Sequence, residues 1–309
     1  MPVRTALLVL SRSRMLREAL TRRRLFPTAV SRFIAGPEIA DALGAVQHLA
    51  ARGYQATLNH LGEHVESAPA AATEVEAQRK ALERLRSRGV VSHLSVKLTQ
   101  LGLDLDADLS AAHLQQILEE AAALPSFVRV DMEGSAYTDR TLALYRRLRP
   151  SFPNVGVVLQ AGLYRTPADL EALLPLGVNV RLCKGAYREP PSVAYPRKRD
   201  VDASFLRLAE QLLTPESLNR GTFAAFATHD PRMVAGVRRL AAERGVPGNR
   251  FEFQMLYGIG RDLQASLVAG GYGVRVYIPY GDAWFPYFMR RLAERPANLL
   301  FLLRSLLRG

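Results

Sequence analysis

A closed (β/α)8 TIM-type barrel is the fold this sequence predicts, and three observations predict it. Eight short β-rich runs alternate with longer helical patterns from about residue 54 onward. Several of the runs are apolar on both faces, as parallel strands covered by helices are. Their ends recur every 23 to 44 residues, which leaves room for one crossover helix each. Eight such units in about 240 residues suit a closed barrel better than an open doubly wound sheet.

The runs, in order, are 54–61, 93–99, 127–133, 155–160, 179–185, 223–229, 251–256 and 273–279. The segments between them carry helix punctuation. Thr166-Pro167 and Asp230-Pro231 each read as an N-cap followed by proline at the first helical position, and Gly89, Gly177 and Gly245 stand where a glycine ends a helix. Residues 1–52 predict two N-terminal helices broken at Gly36-Pro37 and packing on the barrel. Residues 53–309 predict the barrel itself with the apolar C-terminal helix of PANLLFLLRSLLRG. Both terminal segments read as barrel cover or, alternatively, as a basic amphipathic anchor.

Composition narrows the class. The chain has 309 residues, 48% apolar and 23% charged, enough for a large core and incompatible with disorder. The single Cys183 excludes an internal disulfide, and no Cys/His spacing suits a metal, so none is expected. No apolar run reaches the ~18 to 20 residues of a membrane span, and the N-terminus lacks a cleavable leader, so a cytoplasmic chain is expected. The net charge of +12 comes from 41 basic and 29 acidic residues, and only four of the basic ones are lysine. The arginines scatter along helical segments without an aromatic-interleaved stripe, which argues against a nucleic-acid partner.

In a barrel the active site gathers at the C-terminal strand ends. The polar residues there are Lys97, Thr99, Asp131, Glu133, Gln160, Arg181, Lys184, Thr228, His229, Gln254 and Tyr277. Solvation at the mouth would explain any one of them. It explains the set poorly, because a charge inside strands such as SVKLT or VRVDM is costly unless paired or bound. After the last strand, Tyr287 shares a helix face with Arg290 and Arg291. That arrangement makes either a clamp for a carboxylate or phosphate or an ordinary surface pair. Three other strings carry less. His60-x-x-Glu63-His64 matches an inverted zinc-protease string but has Gly62 inside it and follows a strand. Gly258-x-Gly260 lacks the third glycine of a dinucleotide fingerprint, though a loop-to-helix start could still meet phosphate. His229 has no serine in a nucleophile-elbow context.

The segments RLCKGAY (181–187), THD (228–230), FQMLYGIG (253–260) and YIPYGDAWFPYFMRRLAERPAN (277–298) resemble the FAD-dependent proline dehydrogenases in their bacterial monofunctional form. The familiar motif has Val where Cys183 stands. The resemblance implies a distorted (β/α)8 barrel that holds FAD at its strand ends and oxidises L-proline to Δ1-pyrroline-5-carboxylate, passing electrons to a membrane quinone. It implies a peripheral membrane contact for the basic surface and terminal helices. Carried over residue by residue, Lys97, Arg290 and Arg291 would hold the proline carboxylate, with Leu256, Tyr277 and Tyr287 against the ring and Ala186 and Tyr187 nearby. Arg181 would approach the reactive flavin nitrogen. Val158 and Gln160 would line the flavin, and Lys184, Gly185, Ala186, Thr228, His229, Gln254 and Arg291 would hold the rest of the cofactor. Asp131 would stand behind Lys97. Independently of the resemblance, the position of Glu63 after the first strand would let it reach a clamp arginine and gate entry.

Elementary chemistry agrees with this equipment: a zwitterion is held by its carboxylate through cations while a greasy wall packs its ring. Two other classes fit the barrel. A Schiff-base lyase of the aldolase type would use Lys97 or Lys184 as nucleophile, and a non-catalytic ligand-binding barrel would make the mouth residues incidental.

Overall fold

A computed structural model of the chain describes residues 30–62, 64–285 and 287–289. Eight parallel strands close into a barrel in sequence order, β1 pairing with both β2 and β8. They are β1 (Gln55–His60), β2 (His93–Val96), β3 (Val128–Val130), β4 (Val155–Gln160), β5 (Asn179–Cys183), β6 (Phe223–Ala227), β7 (Phe251–Leu256) and β8 (Gly273–Tyr280). Each lies inside its predicted run or exceeds it by one residue. The shorter ones stop early because the predicted run continues into the loop that carries the site.

The helices follow the same alternation. They are α1 (Ile39–Ala50), α2 (Ala68–Ser87), α3 (Ala107–Ala122), α4 (Thr138–Leu148), α5 (Thr166–Leu173), α6 (Lys198–Leu212), α7 (Pro215–Asn219), α8 (Pro231–Glu243) and α9 (Arg261–Ala269). Asp230 caps α8 as expected, accepting from the backbone N–H of Arg232 at 3.1 Å. Thr166 does not cap α5. Its hydroxyl donates to the Gln160 carbonyl at 2.5 Å, tying the helix start to the end of β4, and Arg165 takes the cap position without a side-chain capping bond. Gly89, Gly177 and Gly245 all have left-handed φ, which is why they end their helices. Of the helices expected in 1–52, α1 lies past Gly36-Pro37, while residues 1–29 and the C-terminal segment from Arg290 lie outside the described residues.

Neighbouring residues on a strand face opposite sides, so each strand divides its side chains between the helices and the lumen. The helix side is apolar. Val128, Val130, Val155, Val157, Val180 and Leu182 are fully buried against the helical layer in one continuous core. Each such side chain contributes about 1.5 to 3 kcal/mol by leaving water. The lumen side is polar. Arg129, Arg181, Glu252, Gln254 and Arg275 are all less than a tenth exposed yet project inward, because their partners lie on strands across or around the barrel.

A smaller apolar cluster closes one side of the mouth. Val30, Phe33 and Ile34 meet Leu61, Trp284, Phe285, Tyr287, Phe288 and Met289. Backbone bonds from Ala35 to Pro279 (2.9 Å) and from Gly281 to Gly36 (3.0 Å) hold the two segments together. Gly258 must be glycine here: it has φ +73°, and a Cβ would strike the Arg32 carbonyl oxygen.

Candidate active site

Arg181 is the centre of the upper lumen. It rises from β5, where the flanking Val180 and Leu182 face the helices. Its Nη1 donates to Asp131 Oδ1 at 2.6 Å and to Ser95 Oγ at 3.1 Å, and its Nε donates to Gln254 Oε1 at 2.5 Å. The Tyr277 ring lies 5.2 Å from its Cζ. Side chains from β2, β7, β8 and the end of β3 thus set one guanidinium, which is 6% exposed. Among the described residues its Nη2 has no hydrogen-bond partner.

Asp131 is the hub beneath it. Besides Arg181 it accepts from Ser95 Oγ at 2.8 Å and from Tyr277 OH at 2.7 Å. Burial, with Asp131 beside it, holds the Tyr277 phenol well above its ordinary range, so the hydroxyl stays a donor. Asp131 therefore serves Arg181 and Tyr277; its hydrogen bonds do not include Lys97. The Lys97 ammonium instead reaches the Gly62 carbonyl at 3.4 Å, in the loop after β1.

Around this centre the strand ends supply donors and a turn. Gln160 donates to the Glu133 carbonyl at 2.9 Å, and Val158 shares its register row with Arg181. Glu133 is buried and accepts from the Thr99 hydroxyl at 2.7 Å and the Thr99 backbone N–H at 3.2 Å; burial raises its carboxyl from the usual range. After β5 the chain turns at Gly185, φ +111°, where a Cβ would press on Gln160 Oε1 at 3.1 Å. Ala186 and Tyr187 follow on the exposed rim.

Lys184 anchors a second cluster. Its ammonium donates to Asp202 at 2.5 Å and Asp230 at 3.0 Å. Lys198 and Arg232 reach the same two carboxylates. Three cations over two carboxylates leave one excess positive charge at the start of α8, an arrangement suited to an anion. These partners hold the Asp230 carboxyl well below its ordinary range, against a burial effect of opposite sign. A lysine engaged by two carboxylates is a charge anchor and not a poised nucleophile. Thr228 Oγ1 accepts from the Asp230 N–H at 3.1 Å, and His229 Nε2 accepts from the Leu256 N–H at 2.9 Å, which leaves the imidazole proton on Nδ1.

Leu256 ends β7 half-buried beside Tyr277, its register partner. Tyr287 is buried in the cluster that closes the mouth. Arg290, Arg291 and Glu63 lie outside the described residues. His60 and His64 turn to different carboxylates, Glu74 at 2.8 Å and Asp104 at 3.0 Å. The structure therefore brings Arg181, Asp131, Gln254 and Tyr277 into direct contact and gathers Lys184, Thr228 and His229 a strand or two away. Sequence reasoning missed Ser95, Asp202, Lys198, Arg232 and Glu252. Of these, Asp202 had a local signal, its i,i+4 spacing from Lys198.

Comparison with known proteins decides the family. The family model described as "Proline dehydrogenase" matches residues 42–304. The chain belongs to the proline dehydrogenase family. It is 42% identical over 278 residues to Proline dehydrogenase 1 of Bacillus subtilis (strain 168), covering 90% of each chain. It is 41% identical over 298 residues to Proline dehydrogenase of Deinococcus radiodurans, covering 94% of each. Among solved structures, proline utilization A (PutA) from Bdellovibrio bacteriovorus superposes with a TM-score of 0.82 at 25% identity, covering 90% of this chain and 34% of that one. Among the described residues no helix is long and apolar enough to cross a membrane.

Proposed function

We propose that this member of the proline dehydrogenase family oxidises L-proline to Δ1-pyrroline-5-carboxylate with FAD held at the C-terminal strand ends, and that the electrons pass to a membrane quinone. The observation that carries the reading is Arg181. It is a buried cation, oriented from four other strands, under a mouth walled by Tyr277, Leu256 and Tyr287.

The residues fit the cofactor. Arg181 Nη2 is a buried donor without a protein partner among the described residues, and Gly185 leaves free a space that a Cβ would fill. The Lys184 cluster carries the surplus positive charge that a diphosphate needs. Val158, Gln160, Arg181 and Asp131 would face the flavin ring system. Lys184, Gly185, Ala186, Thr228 and His229 would hold the ribityl and phosphate parts, with Arg291 as a further cofactor ligand. When bound, FAD supplies the two-electron acceptor for the Cδ hydrogen of proline.

The chain's own residues position the substrate and tune the site. Lys97, Arg290 and Arg291 would take the carboxylate, and Leu256, Tyr277 and Tyr287 would press the ring against the site with Ala186 and Tyr187 at the rim. The fixed charge of Arg181 would stabilise negative charge that develops on reduction. A basic surface would favour approach to an anionic membrane where quinone resides.

The purified chain should be yellow, release FAD into the supernatant on acid precipitation, bleach anaerobically with L-proline and recover its colour with a soluble quinone. A well-folded chain that cannot be reconstituted with FAD overturns the cofactor reading. Bleaching by proline without recovery by any quinone overturns the acceptor alone.

A further inference from the structure

Below the Arg181 site, β7 carries a second buried pair that the proposed chemistry does not touch. Glu252 lies two residues before Gln254 on the same strand face, about 6.6 Å further from the mouth. It is 4% exposed. Its Oε1 accepts from Arg275 Nε at 2.9 Å and from Gln254 Nε2 at 2.5 Å. Arg275 is held in turn by the Ala56 carbonyl at 3.0 Å and by Gln55 Oε1 at 2.5 Å. The bonds form one directed chain, from Arg275 and Gln254 into Glu252 and from Arg181 into Gln254.

A carboxamide has two ends of nearly equal shape and opposite hydrogen-bonding sense. Turned one way, Gln254 accepts from Arg181 Nε. Turned the other way, it presents an NH2 group to an N–H donor, and both groups lose their bond in a site that excludes water. Arg181 can only donate, so it favours the first orientation from above. Glu252, kept as an acceptor by Arg275, favours the same orientation from below.

We infer that Glu252 is a positioning residue for the reaction: paired with Arg275, it sets the orientation of the Gln254 carboxamide and through it the guanidinium plane of Arg181. Gln254 then acts on the site through Arg181, with each end of its carboxamide engaged. Asp131 and Ser95 hold Nη1 from the other side. With Nε and Nη1 both fixed, the direction of Nη2 is determined. This inference rests on the flavin reading above.

The test replaces the lower pair as a unit. Glu252→Met with Arg275→Met leaves no buried charge uncompensated, and apolar residues of similar volume commonly replace buried pairs without loss of fold. The variant should bind FAD and bind a proline analogue with KM-like affinity near wild type. Its flavin should be harder to reduce at equilibrium, by about tenfold in the reduction constant, and kcat should fall by about the same factor. Glu252→Gln with Arg275→Met restores an acceptor without restoring the charge, and should recover most of both losses. A flavin-replete double-Met variant with wild-type reduction equilibrium and kcat overturns the inference, as does failure of the Gln variant to rescue. Should the double-Met variant not fold, Glu252→Asp decides: it keeps a charge opposite Arg275 and draws the acceptor back from Gln254 by one methylene. It should lower the reduction constant by several-fold, and an unchanged constant overturns the inference. Absence of flavin in the wild-type chain is the separate outcome that defeats the underlying reading.

Discussion

Arg129 and Arg181 are two buried lumen arginines on strands two apart, and they live in different worlds. Arg181, in the upper lumen, has a carboxylate, a carboxamide and a hydroxyl as partners. Arg129, in the lower lumen, has no ion-pair partner among the described residues. It donates to the carbonyls of Val157 (3.2 Å) and Asn179 (2.6 Å) and to Asn179 Oδ1 (2.5 Å), passing over the bare backbone of Gly156. Burial, and then the neighbouring Arg181 charge, push its guanidinium down to about 9. The lower arginine stitches β3 to β5 as a plug. Each keeps one buried nitrogen without a hydrogen-bond partner among the described residues, Nε in Arg129 and Nη2 in Arg181, but the upper one is held by side chains from several strands, a carboxylate among them. The proposed function gives the upper arginine chemical work at the mouth while the lower one binds strand to strand at the floor, and substitutions should separate the two.

The largest expected effect is on the floor. Arg275→Met leaves Glu252 buried beside Gln254 without its counter-charge, and breaking a buried pair in this way costs about 3 to 5 kcal/mol. Urea unfolding should show that loss as a lower midpoint at unchanged slope. A loss below about 1 kcal/mol would mean that the floor is wetter than its 4% and 7% exposures imply.

Arg181→Met should show the reverse balance. The carboxylate left behind, Asp131, keeps the Ser95 and Tyr277 hydroxyls, and its side chain is 14% exposed, so stability should fall by less than about 2 kcal/mol. Reduction of bound flavin by proline, followed in a stopped-flow instrument, should slow by roughly tenfold to a thousandfold. If Arg181→Met instead destabilises as much as Arg275→Met and reacts normally, the distinction between mouth and floor is lost.

How far the sequence carried this distinction can be read from particular residues. The strands were legible because their helix-facing positions are valine and leucine in short runs, as at Val155–Leu159 and Val128–Val130. The upper site was legible for a related reason. Arg181 and Asp131 are charges inside apolar strands, and such charges demand partners. Glu252 and Arg275 are also charges inside strands, yet attention to strand ends passed over them, because in an ordinary barrel the lower lumen is filled with branched apolar side chains. Ser95 was invisible because a small hydroxyl on a strand carries no local signal. The Asp202 partnership with Lys184 joins α6 to the end of β5 through tertiary structure alone. Thr166 is not the cap because the helix starts one residue earlier than expected, which puts Arg165 in the cap position and Thr166 inside the helix.

The smallest expected effect sharpens the comparison from below. His93 begins β2 near the plug, its ring 5.2 Å from that of Phe127. Burial first, then the charges of Arg275, Arg129 and Arg181, push its imidazole down to about 2. The folded chain therefore holds this ring neutral through the ordinary histidine range, while the unfolded chain protonates it below about pH 6.5. A depressed folded value gives stability that is present above pH 6.5 and is lost as pH falls below it toward 2. Between pH 7 and pH 5 the wild type should lose about 1 to 2 kcal/mol more than a His93→Gln chain, measured by urea unfolding at each pH, since all other titrating groups are shared. Parallel pH profiles for the two chains would mean that His93 can be protonated in place, and that burial and the nearby arginine charges do not hold it neutral.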